Sequence, residues 1–264
     1  MRRHLTFACQ GALLAGTLDS AAGPVGLLWV SGGNEIRSGA YAGQAQMAAR
    51  LAASGFPVFR FDRRGVGDSG GENLGFRGSA RDIAAALGAF RTEQPGLERV
   101  VAFGNCDAAS ALMLLGGAGL DALVLANPWT FESDDEAPPP AIRARYAAKL
   151  RDPREWLRLV RGQVAFGKLA KGLARAAGPA AVPTSLAHEV EQGLAGFSGP
   201  VRILLAERDR TAQAFLATWS AADPRIVRCP GASHAFVEPH ARAWLFEQLV
   251  AALKDKQARQ LDVG

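Results

Sequence analysis

The 264-residue chain has a net charge of +5, 48% hydrophobic residues and three cysteines. That is apolar matter enough for one large α/β domain with an insertion, and it argues against disorder except near the ends. Cys9, Cys106 and Cys229 are odd in number, widely spaced and form no CxxC pair, which argues against a disulfide framework and a cysteine zinc site. No 18-residue apolar span occurs, so no transmembrane helix is expected and a reduced cytoplasm is the simplest setting.

The N-terminal stretch MRRHLTFACQGALLAG is predicted to form a first hairpin rather than a signal peptide, because Thr6, Gln10 and Gly11 break its apolar run. Pro24–Ser31 is a continuous apolar run, as in a strand buried on both faces. A helix follows over Gly39–Ser54, with Ala40, Ala45, Met47, Ala48 and Leu51 recurring at helical spacing. Phe56–Phe61 is the next strand and Ser79–Phe90 the next helix, with Ile83, Leu87 and Phe90 on one side. Val100–Phe103 is a strand, Asp107–Leu115 a helix and Asp121–Ala126 a strand. After an acidic, proline-rich linker at 132–140 comes a helix-rich region to about 195. Strand Pro200–Ala206, helix Ala212–Ala221, strand Arg225–Arg228 and helix Ala235–Lys254 complete the chain. Alternating strands and helices predict a mostly parallel sheet covered on both faces, with ligands beyond the carboxyl ends of its strands.

Charge is unevenly spread. Between Ala141 and Ala176 there are ten Lys or Arg against Asp152 and Glu155, a local excess of +8 that leaves the remainder near −3. A solvated basic face would show the same excess. So would a surface for an acidic or phosphate-bearing substrate, such as a carrier-linked acyl group, or for an anionic membrane. Nucleic acid is not an expected partner, since no interleaved aromatic pattern or binding module accompanies the charge.

Cys106 stands where the strand Val100–Phe103 gives way to a helix, within Gly104-Asn105-Cys106-Asp107-Ala108. Small neighbours two residues away on either side suit a sharp strand-to-helix elbow that exposes its central residue. The helix beginning at Asp107 aims its positive dipole end at the sulfur, which favours the thiolate, and the Asp107 N–H is placed to bind a developing oxyanion. A buried structural cysteine on a glycine-rich connection is the plain alternative. Gly67-Asp68-Ser69-Gly70-Gly71 and Gly231-Ala232-Ser233-His234-Ala235 match similar patterns, but neither lies between a strand and a helix in the required order.

A nucleophile needs a base and the base an orienting acid. Of four histidines, His4 lies in the first strand, His188 in the inserted region and His240 about a turn and a half along the last helix. His234 follows the short strand on a loop at the right end of the sheet. Asp209 sits three residues beyond the strand Pro200–Ala206; it also suits an N-cap for the following helix, and Glu207 is its rival. The order Cys106, Asp209, His234 is that of nucleophile, acid and base in one fold class. The loop Ser31-Gly32-Gly33-Asn34 is expected to supply a second oxyanion donor, Gly33 or Asn34.

With these residues the chain resembles the α/β-hydrolase superfamily over nearly its full length. Within that superfamily it resembles the exosortase A system-associated hydrolase 1 family, through GFPVFRFDRRGVGDSGGE, NCDAASALML, ANPW and ERDRTAQAF. The resemblance implies an α/β-hydrolase fold, with an eight-stranded sheet, residues 1–131 and 196–264 as core and 132–195 as a helical cap. Trp156, Leu157, Val160, Val164 and Phe166 would give that cap an apolar wall. It also implies a cytoplasmic bacterial enzyme encoded with exopolysaccharide and protein-sorting machinery. Cys106 and Ala108 stand where the superfamily usually has serine and glycine, and Ser31-Gly32 replaces the common His-Gly. The expected chemistry is cleavage of an ester or thioester through an acyl-enzyme, without cofactor or metal. The alternatives are acyl transfer and a non-catalytic scaffold in a biosynthetic complex.

Overall fold

A computed structural model describes residues 1–131 and 185–255. The N-terminal hairpin is β1 (Arg2–Cys9) and β2 (Ala12–Asp19), followed by β3 (Val25–Val30), α1 (Gly43–Ala53), β4 (Val58–Phe61) and α2 (Ala80–Glu93). Then come β5 (Arg99–Asn105), α3 (Asp107–Leu114), β6 (Ala122–Ala126) and α4 (Ser185–Ala195). β7 (Val201–Ala206), α5 (Arg210–Thr218), β8 (Ile226–Cys229) and α6 (Pro239–Lys254) close the described chain. The eight strands form one sheet in the order β1-β2-β4-β3-β5-β6-β7-β8. β2 runs antiparallel to β1 and β4, and the pairs from β4 to β8 are parallel.

The apolar runs explain this order. Along β3, Leu28 and Val30 enter one core with Phe59, Phe61 and Phe90, while Leu27 and Trp29 enter the other with Val58, Val101 and Phe103. A strand buried on both faces has no polar side to show, and only the middle of a two-sided sheet accepts it. α2, α3, α4 and α5 cover the first face; α1 and α6 cover the second.

Some ends differ from the predicted ones. α1 starts at Gly43, not Gly39, because Gly39, Tyr41 and Ala42 take positive φ values of 73°, 52° and 56° around a short 3₁₀ turn. α6 starts at Pro239, not Ala235; proline at the first helical position fixes the start. His240 is therefore the second residue of that helix rather than a turn and a half along it. α5 begins at Arg210, capped by Asp209.

The expected cap falls mostly on residues 132–184, outside the described residues, together with its basic and apolar side chains. Residues 185–195 form α4, whose Leu186, Ala187, Val190 and Leu194 are buried in the core beside α3. A side chain at Gly193 would run into the Met113 carbonyl, so glycine permits this close crossing. Phe131 and Leu186 line one cavity with Trp129 and Phe76. No described helix is long and apolar enough to cross a membrane.

Candidate active site

Cys106 occupies a strained turn between β5 and α3, with φ 63° and ψ −127°. Left-handed backbone at a non-glycine residue is held only where the surroundings dictate it. Here the Cys106 N–H donates to the Ala126 carbonyl on the neighbouring strand at 3.0 Å. Gly104 makes the turn possible: a Cβ there would lie 2.7–2.8 Å from the Ala108 carbonyl group and the Ala109 nitrogen. The Asp107 N–H is the first of α3, one that no carbonyl of its own helix can take.

Asp209 combines both roles weighed from its position. Its Oδ2 accepts the Ala212 N–H at 3.2 Å, capping α5, and lies 2.9 Å from His234 Nδ1. The carboxylate is buried, whereas the imidazole side chain is 42% exposed. Burial alone pushes the His234 pKa down. The hydrogen bonds to Asp209 and to the Cys106 sulfur, with the charges on both, outweigh it and raise the pKa from 6.5 to about 10. Cys106 and His234 also line one cavity, so the fold brings together the three residues singled out as nucleophile, acid and base. Glu207 is exposed at the strand end, and the acid on His234 is Asp209.

The backbone of His234 is tethered as well. Its carbonyl accepts Nδ2–H from Asn105 and from Asn127, each at 3.1 Å. Asn127, fully buried at φ 43°, also donates to Asn105 Oδ1 and accepts the Ala206 N–H, both at 2.9 Å. It therefore joins the ends of β5, β6 and β7 to the histidine loop. Neither asparagine was among the predicted site residues.

The loop after β3 is less simple than expected. The Gly33 N–H donates to Asp107 Oδ1 at 2.6 Å, so one expected oxyanion donor is engaged by the side chain of the residue expected to supply the other. Asn34 accepts from Asn73 Nδ2 at 2.9 Å. Of the alternative motifs, Ser69 is buried, donating to the Asp62 carbonyl and accepting the Ala15 N–H. His4 bonds Thr17, exposed His188 bonds Gln192, and His240 bonds the Pro230 carbonyl.

A cavity of about 350 Å³ opens beside Cys106 and His234. Trp29, Met47, Phe103, Phe236 and Leu245 give it an apolar floor, with Glu35, Gln44 and Arg242 as polar groups. Such a volume suits a small acyl or alcohol moiety. Cys9 and Cys229 are only 5% and 1% exposed, and burial followed by neighbouring carboxylates raises the pKa of both thiols. Among the described residues no three His, Cys, Asp or Glu side chains cluster as metal ligands.

Solved structures with the same fold include an α/β hydrolase, GrgF, from Penicillium sp. sh18, at TM-score 0.64 and 16% identity, covering 96% of this chain and 98% of that one. They also include the esterase Pf2001 of Pyrococcus furiosus (TM-score 0.59, 14% identity, 96% and 90% covered). A third is the thioesterase domain of the curacin biosynthetic pathway, at TM-score 0.54 and 14% identity, with 95% and 99% covered. At such identities the likeness speaks for the fold. Among curated proteins no sequence match was found. The family model described as "Alpha/beta hydrolase family" matches residues 27–248, from the middle of the sheet into the last helix. The chain belongs to the alpha/beta hydrolase family.

Proposed function

We propose that the protein is a cysteine-dependent esterase or thioesterase working through an acyl-enzyme, with Cys106 as nucleophile, His234 as base and Asp209 as its orienting acid. One observation carries this reading. A thiol on a strained elbow at a helix start faces an imidazole that a buried carboxylate holds in the charged form. Asp209 on Nδ1 leaves Nε2 for the sulfur and its proton. The thiolate attacks the acyl carbon and the carbonyl π pair moves onto oxygen, where backbone N–H groups such as that of Asp107 receive it. Collapse of this intermediate breaks the bond to the leaving alcohol or thiol, which takes the proton from His234. Water, deprotonated by the now neutral His234, attacks the thioester; the acid departs and the thiolate returns.

The stretches shared with exosortase-associated hydrolases support a place in an exopolysaccharide-linked pathway of the cytoplasm. The basic stretch 141–176 supports an acidic carrier or an anionic membrane surface as partner. Intact-mass spectrometry after iodoacetamide and after p-nitrophenyl acetate tests the mechanism. A fast adduct confined to Cys106 and lost in His234→Ala is expected. Slow, equal labelling of all three thiols would overturn the reading in favour of a scaffold. Transfer of the acyl group to added sugars in place of water would make the enzyme an acyltransferase.

A further inference from the structure

Asp107 follows the nucleophile and lends its N–H to the proposed oxyanion pocket, yet its side chain turns back into that pocket. Oδ1 takes the Gly33 N–H at 2.6 Å. The loop lies flat on the elbow here: a Cβ on Gly32 would be 2.5 Å from the Asn105 carbonyl oxygen and 2.9 Å from Asp107 Oδ1. On the other side stands Arg63, 5% exposed, whose Nη1 donates to Ser79 Oγ at 3.0 Å and whose Nη2 donates to the Gly33 carbonyl. Nη2 also lies 3.4 Å from Asp107 Oδ2, at the long edge of hydrogen bonding. The Asp107 side chain itself is 16% exposed.

We infer that the Asp107 carboxylate gates the oxyanion pocket, closed on Gly33 and open on Arg63. A substrate oxygen cannot take the Gly33 N–H while Oδ1 holds it, and an oxyanion formed beside that carboxylate is repelled by it. Rotation toward Arg63 shortens a contact already begun, neutralises the carboxylate and frees the N–H. Arg63 is locked by Ser79 and Gly33, so the second seat is fixed in advance. Opening draws on binding energy from parts of the substrate remote from the acyl carbon. The gate therefore favours acyl groups carried on a large partner over small free esters. This inference rests on the hydrolase reading above.

Asp107→Ala keeps the backbone donor and removes the gate. Its kcat/KM for p-nitrophenyl acetate, a substrate with little remote binding energy, should rise by on the order of tenfold, the worth of one charge-assisted hydrogen bond. Asp107→Asn, an uncharged acceptor, should lie between. A purely structural carboxylate at the helix start would instead lower activity and thermal stability together. The Gly33 amide resonance gives a second measure. It should be downfield and protected from exchange in the wild type, and move upfield in Asp107→Ala. A trifluoromethyl ketone, whose carbon adds the Cys106 thiolate while its oxygen takes the π pair, should re-engage that amide. A Gly33 amide unmoved by Asp107→Ala in an enzyme that turns over, or a loss of kcat/KM in that variant, overturns the gate alone. A Cys106 that no variant acylates or alkylates preferentially overturns the hydrolase reading and the gate with it.

Discussion

Replacing Asp209 with asparagine removes a charge while keeping a cap. The amide oxygen can still accept the Ala212 N–H that Asp209 Oδ2 takes at 3.2 Å, so α5 keeps its start. What is lost is the carboxylate 2.9 Å from His234 Nδ1. The rise of the His234 pKa from 6.5 to about 10 amounts, taken whole, to roughly 5 kcal/mol in favour of the imidazolium. Burial opposes that rise and Cys106 supplies part of it beside Asp209. The side chain is also 42% exposed, so screening by water leaves about 2 kcal/mol as the working share of the carboxylate, or roughly 30-fold. Asp209→Asn should therefore alkylate at Cys106 with iodoacetamide about 30-fold more slowly at pH 7. Its kcat/KM for p-nitrophenyl acetate should fall at least as far, a wrongly placed imidazole proton adding to the loss. Asp209→Ala serves as the comparison: it should lose the same reactivity and a further ~1 kcal/mol of stability with the cap. Wild-type alkylation and turnover in Asp209→Asn at pH 7 would refute the role assigned to the ion pair.

The same pair makes a stability prediction. His234 binds its proton more tightly folded than unfolded, so its contribution is full below about pH 6.5 and is lost as pH rises through about 10. Urea unfolding across that range should show a decline that His234→Ala lacks. Gly104→Ala should destabilise by about 2–3 kcal/mol, since its Cβ meets the start of α3 at 2.7–2.8 Å; thermal melting checks this. Asn127→Ala leaves the Ala206 N–H without its partner and removes one of the two donors on the His234 carbonyl. It should cost about 1–3 kcal/mol and lower kcat more than it raises KM, measured by melting and by steady-state kinetics.

Much of the fold is legible in the sequence because apolar runs buried on both faces, such as VGLLWV and DALVLA, leave the chain little other place than a covered parallel sheet. Once the strands are placed, Cys106, Asp209 and His234 fall at their carboxyl ends. Helix starts are less legible. The positive φ values at Tyr41 and Ala42 have no local signature, since neither residue is a glycine or asparagine. Asn127 escapes because its work is done at a distance, its side chain reaching a carbonyl 107 residues away. An asparagine just after a strand and before a proline was the one available sign. Asp107 is half legible: its place at the helix start follows from the elbow, but the turn of its carboxylate toward Gly33 depends on a loop 74 residues earlier.

Because Phe131 and Leu186 border the same hollow, two residues far apart in the chain meet at one place on the core. A stretch of any length can join them without moving a strand, so descendants of this scaffold can acquire new molecular tastes there while the sheet is inherited unchanged.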